Sequence, residues 1–197
     1  MPREIEAYGG GLGWESRFGG MPTHAMRLHE WGTRHPAAGD LIEWFGAGFD
    51  GGTMGIIRTC KNCGQKNRTG AEHLADTGRC GACKADLGPV DEPIAVTTAE
   101  FDEIVQRAKV PVLVDFWAAW CGPCRAASPE VARTAKDMAG RGVVLKVDTE
   151  KEQGLAGRYR VQGIPNFMVF ADGKAVRQQA GLVGHEVMEG WMREAAG

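Results

Sequence analysis

The six cysteines of this 197-residue chain all lie in C-x-x-C pairs, which restricts the possible folds more than any other sequence feature. The pairs are Cys60 and Cys63, Cys80 and Cys83, and Cys121 and Cys124. No apolar stretch approaches the roughly 18 residues of a membrane-spanning helix, and the N-terminus has no signal-peptide pattern. We therefore expect a cytoplasmic protein, in which paired cysteines more often bind metal or do redox chemistry than form structural disulfides.

The first two pairs have the spacing of a zinc ribbon, because 16 residues separate Cys63 from Cys80. Four thiolates complete a tetrahedron around Zn²⁺ and leave no open position, which makes such a site structural. The surrounding residues 54–90 are mostly polar, basic or glycine. We expect this segment to need bound zinc to fold, since it cannot bury enough apolar surface. A pair of disulfides, or thiols that take part in redox exchange, is the alternative.

Residues 1–53 contain glycine clusters and scattered aromatic residues without a helical or strand period. We expect a poorly ordered extension, or sequence upstream of a true start at Met54, with a short helix at Ala37–Phe45 as its only regular element. An aromatic docking segment is the rival interpretation of Trp31, Trp44 and Phe45.

Residues 91–197 alternate short apolar runs with segments of helical spacing, which is typical of an α/β fold. The predicted strands are Val112–Trp117, Val143–Val147 and Phe167–Phe170. The predicted helices are Thr98–Ala108, Cys124–Ala139, Gln153–Tyr159 and His185–Ala195. A turn at Ala171–Lys174 predicts an antiparallel hairpin at the end of the sheet. The fold class is thus α/β, with a central mixed sheet flanked by helices.

The third cysteine pair directly follows a predicted strand and begins a helix. Free backbone N–H groups and the helix dipole stabilise negative charge at a helix N-terminus, so Cys121 is expected to be the nucleophilic thiolate. Cys124, one turn further, is expected to be more buried and to resolve a mixed disulfide. Two zinc ligands or a structural pair are the alternatives for this motif.

Two separated motifs, Val114–Cys124 (VDFWAAWCGPC) and Gly163–Pro165, resemble the active-site segment and the cis-proline loop of the thioredoxin family. The resemblance covers about 91–197 and implies a thioredoxin fold with a redox-active Cys121–Cys124 disulfide. Asp115 matches the family's buried acid, which exchanges a proton with the resolving cysteine, and Lys146 matches the lysine beside it. The positions that match the family's peptide-binding groove are Trp120, Ile164, Pro165 and Gly181. Asn166 departs from the commoner threonine.

A zinc-binding segment before such a domain resembles the bacterial thioredoxin-2 type. The resemblance implies a monomeric protein-disulfide reductase that acts on disulfide-containing proteins and is regenerated by an NADPH-dependent thioredoxin reductase. A zinc-containing redox sensor or redox-regulated chaperone is the alternative. A net charge of -2 gives no reason to expect a nucleic-acid or membrane partner.

Overall fold

The computed structural model describes residues 55–197. The predicted extension over 1–53, its helix at Ala37–Phe45 and the proposed start at Met54 lie outside these residues. Within the described part, none of the helices combines the length and apolar character needed to cross a membrane.

A five-stranded mixed sheet forms the centre of residues 91–197. Its strands are β5 (Ile94–Ala95), β6 (Val112–Trp117), β7 (Val143–Asp148), β8 (Asn166–Ala171) and β9 (Lys174–Ala180). Their order across the sheet is β5-β7-β6-β8-β9. β5 and β6 run parallel to β7, whereas β8 is antiparallel to both β6 and β9. The mixed sheet and the final hairpin agree with the sequence prediction.

Four helices cover the two faces of this sheet: α1 (Thr98–Arg107), α2 (Gly122–Asp137), α3 (Gln153–Arg158) and α4 (His185–Ala195). Residues of α1 and α3, such as Phe101 and Leu155, pack on the face that bears Val114. Residues of α2 and α4 pack on the face that bears Leu113. Adjacent residues of β6 therefore enter opposite cores, which explains why this strand is an uninterrupted apolar run apart from Asp115.

The predicted element boundaries differ from the observed ones at a few residues. α2 begins at Gly122 and ends at Asp137, whereas the sequence prediction was Cys124–Ala139. Its earlier start follows from Cys121, which is the N-cap residue, and from Pro123, which is compatible with the first turn. The two-residue strand β5 has no counterpart in the prediction because it is too short for a period to be visible.

Residues 55–90 form two small antiparallel sheets with a 3₁₀ helix at Ala71–His73 between them. The first sheet pairs β1 (Ile56–Thr59) with β2 (Lys66–Thr69), and the second pairs β3 (Gly78–Arg79) with β4 (Asp86–Gly88). Although the segment has no apolar run, three of its residues, Ala71, Leu74 and Val90, belong to the core cluster around α1. The segment thus packs on the larger domain instead of building a core of its own.

Candidate functional site

The third cysteine pair lies where β6 passes into α2. Cys121 and Cys124 form a disulfide with their Cα atoms 5.3 Å apart. The backbone N–H of Cys124 donates a hydrogen bond to the Cys121 Sγ atom at 3.1 Å. Cys121 is the N-cap residue of a 16-residue helix, so its sulfur lies at the positive end of the helix dipole. A thiolate formed at this position is stabilised before any substrate arrives.

The prediction that Cys121 is more exposed than Cys124 is wrong for this disulfide form. Their exposed fractions are 2% and 3%. Cys121 is covered because it packs with the nearby Ala118 and with Ile164, which is 43 residues away in the sequence. What distinguishes the two sulfurs is the hydrogen bond that Cys121 accepts from the helix N-terminus.

Asp115 is an isolated carboxyl group in the middle of β6. Its exposed fraction is 1%, and neither carboxylate oxygen has a hydrogen-bond partner within residues 55–197. Burial raises the pKa of Asp115 from its ordinary value of 3.8 to about 6, although the positive charge of Lys146 limits this increase. Lys146, the register neighbour of Asp115 on β7, places its Nζ atom 3.9 Å from Asp115 Oδ2 and 4.5 Å from the centre of the Trp117 ring.

A loop with a cis peptide bond between Ile164 and Pro165 approaches the disulfide. The carbonyl oxygen of Ile164 is 3.7 Å from Cys121 Sγ, across 43 residues of sequence. Gly181 donates its backbone N–H to the Pro165 carbonyl at 2.9 Å and has a φ of 93°, a left-handed conformation that favours glycine. Trp120 is 67% exposed at the same edge of the domain.

Gln178 is a supporting residue that the sequence prediction missed. Its Nε2 atom donates to the Asn166 Oδ1 atom at 3.2 Å and to the Tyr159 carbonyl at 3.3 Å. Asn166 directly follows the cis-proline, so Gln178 ties β9 to both ends of the segment that carries Pro165. Gln178 lies on the fully exposed strand β9, where no periodic signal distinguishes it from its neighbours.

The other four cysteines form one cluster in which all sulfur atoms lie within 4.8 Å of one another. The Cys60–Cys83 and Cys63–Cys80 sulfur distances are 3.7 Å and 3.6 Å. Tetrahedral zinc with Zn–S bonds of about 2.3 Å requires sulfur atoms about 3.8 Å apart. The donor set and its spacing therefore fit a closed Zn(Cys)₄ centre.

Two similar turns present these sulfurs. In the first turn Cys60 donates its N–H to the Gln65 carbonyl at 2.8 Å, and in the second Cys80 donates to the Ala85 carbonyl at 2.9 Å. From the sequence, Gly64 and Gly81 are expected to permit the two tight turns. Gly64 does have a φ of 74°, but the left-handed residue of the second turn is Lys84, with a φ of 63°. The expectation for Gly81 is wrong, because the left-handed conformation of the second turn lies at the fourth residue after Cys80, whereas Gly81 is the first.

Two asparagine side chains contact the cluster without being part of the cysteine pattern. The Asn62 Nδ2 atom donates to Cys83 Sγ at 3.5 Å, and the Asn67 Nδ2 atom donates to Cys80 Sγ at 3.7 Å. Asn67 also accepts the Gly81 N–H on its Oδ1 atom at 2.8 Å. Both amides reach from the first half of the segment to sulfurs of the second half, so sequence spacing alone could not reveal them.

Comparison with known proteins places this site in a family. The thioredoxin family model matches residues 92–194, about half of the chain. This chain belongs to the thioredoxin family. It is 34% identical to thioredoxin C-3 of Corynebacterium nephridii over 137 residues, which cover 70% of this chain and 93% of that protein. It is 43% identical to thioredoxin 1 of Synechococcus elongatus over 89 residues, which cover 45% of this chain and 83% of that protein.

The thioredoxin fold is also found in a solved structure, a single-site mutant of thioredoxin from Halobacterium salinarum. The TM-score is 0.51 at 33% sequence identity, and the match covers 54% of this chain and 93% of that one. Family membership makes this protein a dithiol–disulfide oxidoreductase with protein-disulfide reductase activity. Thioredoxins act on disulfide-containing substrates and are reduced by thioredoxin reductase.

Proposed function

We propose that this thioredoxin is a cytoplasmic disulfide reductase in which Cys121 attacks and Cys124 resolves. The observation that carries the proposal is the hydrogen bond from the Cys124 N–H to Cys121 Sγ at the start of α2. In the reduced protein the Cys121 thiolate attacks one sulfur of a substrate disulfide, and the other substrate sulfur leaves as a thiolate that takes up a proton. Cys124 then displaces the substrate from Cys121, which releases the second substrate thiol and forms the Cys121–Cys124 disulfide.

Asp115 is proposed to accept the proton of the Cys124 thiol during the resolving step. A carboxyl group with a pKa of about 6 is ionised in most molecules near neutral pH and is still basic enough to take a proton. Lys146 is proposed to keep this carboxylate from becoming still more basic, because its ammonium group lies 3.9 Å away. Transfer through a water molecule would connect the acid to the sulfur.

The proposed substrate groove consists of Trp120, Ile164, Pro165 and Gly181. An extended peptide can add its backbone to the polar groups beside the cis-proline, in the manner of a strand at a sheet edge. Support comes from the contact of 3.7 Å between the Ile164 carbonyl and Cys121 Sγ, since a peptide bound to this loop brings its own disulfide close to the nucleophile. Gly181 has a left-handed backbone, and a Cβ built there would have no neighbour within 4 Å, so the space beside it is open to a peptide.

The proposed partners are disulfide-containing proteins and an NADPH-dependent thioredoxin reductase, and the proposed state is a monomer. Insulin reduction by the purified protein, with and without NADPH and a thioredoxin reductase, tests the catalytic assignment. Cys121→Ser is expected to abolish turnover, whereas Cys124→Ser is expected to accumulate mixed disulfides. Wild-type turnover by Cys121→Ser would overturn the assigned roles.

We further infer that Cys60, Cys63, Cys80 and Cys83 hold a structural Zn²⁺, which makes the chain a member of the bacterial thioredoxin-2 type. The donor geometry supports this inference. The similarity to thioredoxin C-3 supports it too. That alignment spans 137 residues, whereas the family match over 92–194 spans 103 and only three residues of this chain follow residue 194. The similarity therefore continues on the N-terminal side of residue 92. The proposed organisation is an extension over 1–53, a zinc segment over 54–90 and a thioredoxin domain over 91–197.

Metal analysis of the purified protein tests this inference. We expect one zinc per chain, and we expect Cys60→Ser to lose it while Cys121→Ser retains it. A metal-free protein with disulfides among these four cysteines would overturn the zinc assignment but not the reductase assignment.

One observation favours the second candidate function, a zinc-containing redox sensor or redox-regulated chaperone. Two of the four cysteines, Cys63 and Cys83, are exposed. Oxidation at these sulfurs would release zinc and unfold residues 54–90. Zinc retention under peroxide that fully oxidises Cys121 and Cys124 would argue against a sensor.

A further inference from the structure

The four thiolates of the proposed zinc site differ in how easily a reagent reaches them. Cys60 and Cys80 are buried, whereas Cys63 and Cys83 are exposed. Each half of the site therefore contributes one covered and one accessible sulfur. An oxidant or electrophile in solution meets the Cys63 and Cys83 sulfurs first.

The two exposed sulfurs have equivalent backbone neighbours. Gln65 contributes a backbone N–H near Cys63, and Ala85 contributes one near Cys83. Each donor lies two residues after its cysteine, as the similarity of the two turns requires. Backbone donors therefore do not distinguish the reactivity of the two thiolates.

A side-chain donor breaks this equivalence. The Asn62 amide donates to Cys83 Sγ at 3.5 Å, but no side-chain amide within residues 55–197 donates to Cys63 Sγ. The reason lies in the residues between the paired cysteines. The first pair encloses Lys61 and Asn62, whereas the second encloses Gly81 and Ala82, which have no side-chain donor to return.

A hydrogen bond to a thiolate stabilises its negative charge and lowers its tendency to attack. Both sulfurs are therefore accessible, but only the Cys83 sulfur accepts a side-chain hydrogen bond that lowers its reactivity. Building on the zinc site proposed above, we propose that Cys63 is the ligand at which hydroperoxides and soft electrophiles enter the cluster.

With a hydroperoxide, the Cys63 thiolate attacks one oxygen of the O–O bond. The S–O bond forms, the O–O bond breaks, and the distal oxygen leaves as hydroxide or alkoxide, so the sulfur is oxidised by two electrons to a sulfenic acid. The Cys80 thiolate, whose sulfur is 3.6 Å from that of Cys63, then displaces hydroxide from the sulfenic acid. The product is a Cys63–Cys80 disulfide that removes two zinc ligands and links the two halves of the segment.

The test uses the zinc-loaded full chain with Cys121 and Cys124 held as their disulfide. After metal analysis, the protein receives substoichiometric N-ethylmaleimide, then denaturant with an excess of isotopically heavy reagent. Mass spectrometry of tryptic peptides reads out each cysteine, because cleavage after Lys61 separates Cys60 from Cys63 and fragmentation separates Cys80 from Cys83. We expect the light label at Cys63 to exceed that at Cys83 by about two- to tenfold, the rate factor that corresponds to one hydrogen bond.

Asn62→Leu is the diagnostic variant, since it keeps a side chain of similar size but removes the amide. Its Cys63 to Cys83 labelling ratio is expected to fall towards one. Gln65→Met is the matched control. Its amide lies in the same turn but donates to the Lys66 carbonyl and not to a sulfur, so the wild-type ratio is expected to persist.

Equal labelling of Cys63 and Cys83 in the wild type, or an unchanged ratio in Asn62→Leu, would overturn the proposal while leaving the zinc site intact. A protein without zinc would overturn the metal assignment at the first measurement, and this proposal with it. In the peroxide arm, a linked Cys63–Cys80 peptide is expected to appear together with zinc release. A first disulfide that excludes Cys63 would overturn the assigned entry point.

Discussion

Replacing Asp115 with asparagine is expected to remove a pH-dependent destabilisation of the folded protein. The pKa of this carboxyl rises from 3.8 to about 6 because folding removes it from water. As the pH increases, the unfolded chain therefore releases this proton first. The stabilising contribution is fully present below about pH 4 and is lost as the pH rises through about 6. At about 1.4 kcal/mol per unit of pKa, the total loss is about 3 kcal/mol.

Urea unfolding of the disulfide form measures this effect in the wild type and in Asp115→Asn. Between pH 4 and pH 8, we expect the free energy of unfolding of the variant to increase by about 2 kcal/mol relative to that of the wild type. This is the part of the total loss in the wild type that develops in this pH range. The buried amide of asparagine has an unfolding cost of its own, but that cost does not vary with pH. Asp172→Asn is the matched control, because Asp172 is an exposed carboxyl in the β8–β9 turn.

A difference that stays constant with pH would contradict the desolvation of Asp115. If the free energies of unfolding of the wild type and Asp115→Asn remain parallel within about 0.5 kcal/mol, the carboxyl is not desolvated in solution. A pH-dependent difference in Asp172→Asn would instead locate the effect in the net charge of the protein.

Lys146, Leu74 and the proposed zinc site each allow a further test. Lys146→Met removes the ammonium group 3.9 Å from Asp115 Oδ2, so the pKa of Asp115 is expected to rise further. The acidic limb of the plot of insulin-reduction rate against pH is then expected to move to higher pH. An acidic limb that does not move would contradict this coupling between Lys146 and Asp115. Leu74→Ala is expected to lower the free energy of unfolding by about 2–5 kcal/mol, because Leu74 is fully buried against the core around α1. Unfolding in urea is expected to remain a single transition. A second transition at the wild-type midpoint would show that the segment unfolds separately from the larger domain. Chelation of zinc is expected to abolish hydrogen-exchange protection in β1 and β2, and persistent protection there would mean that packing alone holds the segment.

Local patterns predicted most elements of residues 91–197. α4 begins at His185 and ends at Ala195, as its helical spacing indicates, and β6 spans the predicted Val112–Trp117. Such elements are long enough for a period to be visible. The strands β1 to β5 were not predicted because each contains only two to four residues. β5 pairs with β7 in the main sheet, whereas β1 to β4 pair only within the two small sheets. The pairing partners of such short strands leave no period in the sequence.

The grouping of the six cysteines is already evident in the sequence. Spacing separated four that the structure brings into one cluster from two that form one disulfide, because turn and helix geometry act over only a few residues. The tertiary structure alone decided the environment of each sulfur. It buried Cys121 against a loop 43 residues away and placed Asn62 on Cys83 across 21 residues. Burial and hydrogen bonding arise from contacts between distant segments, and these contacts distinguish cysteines that look equivalent in the sequence.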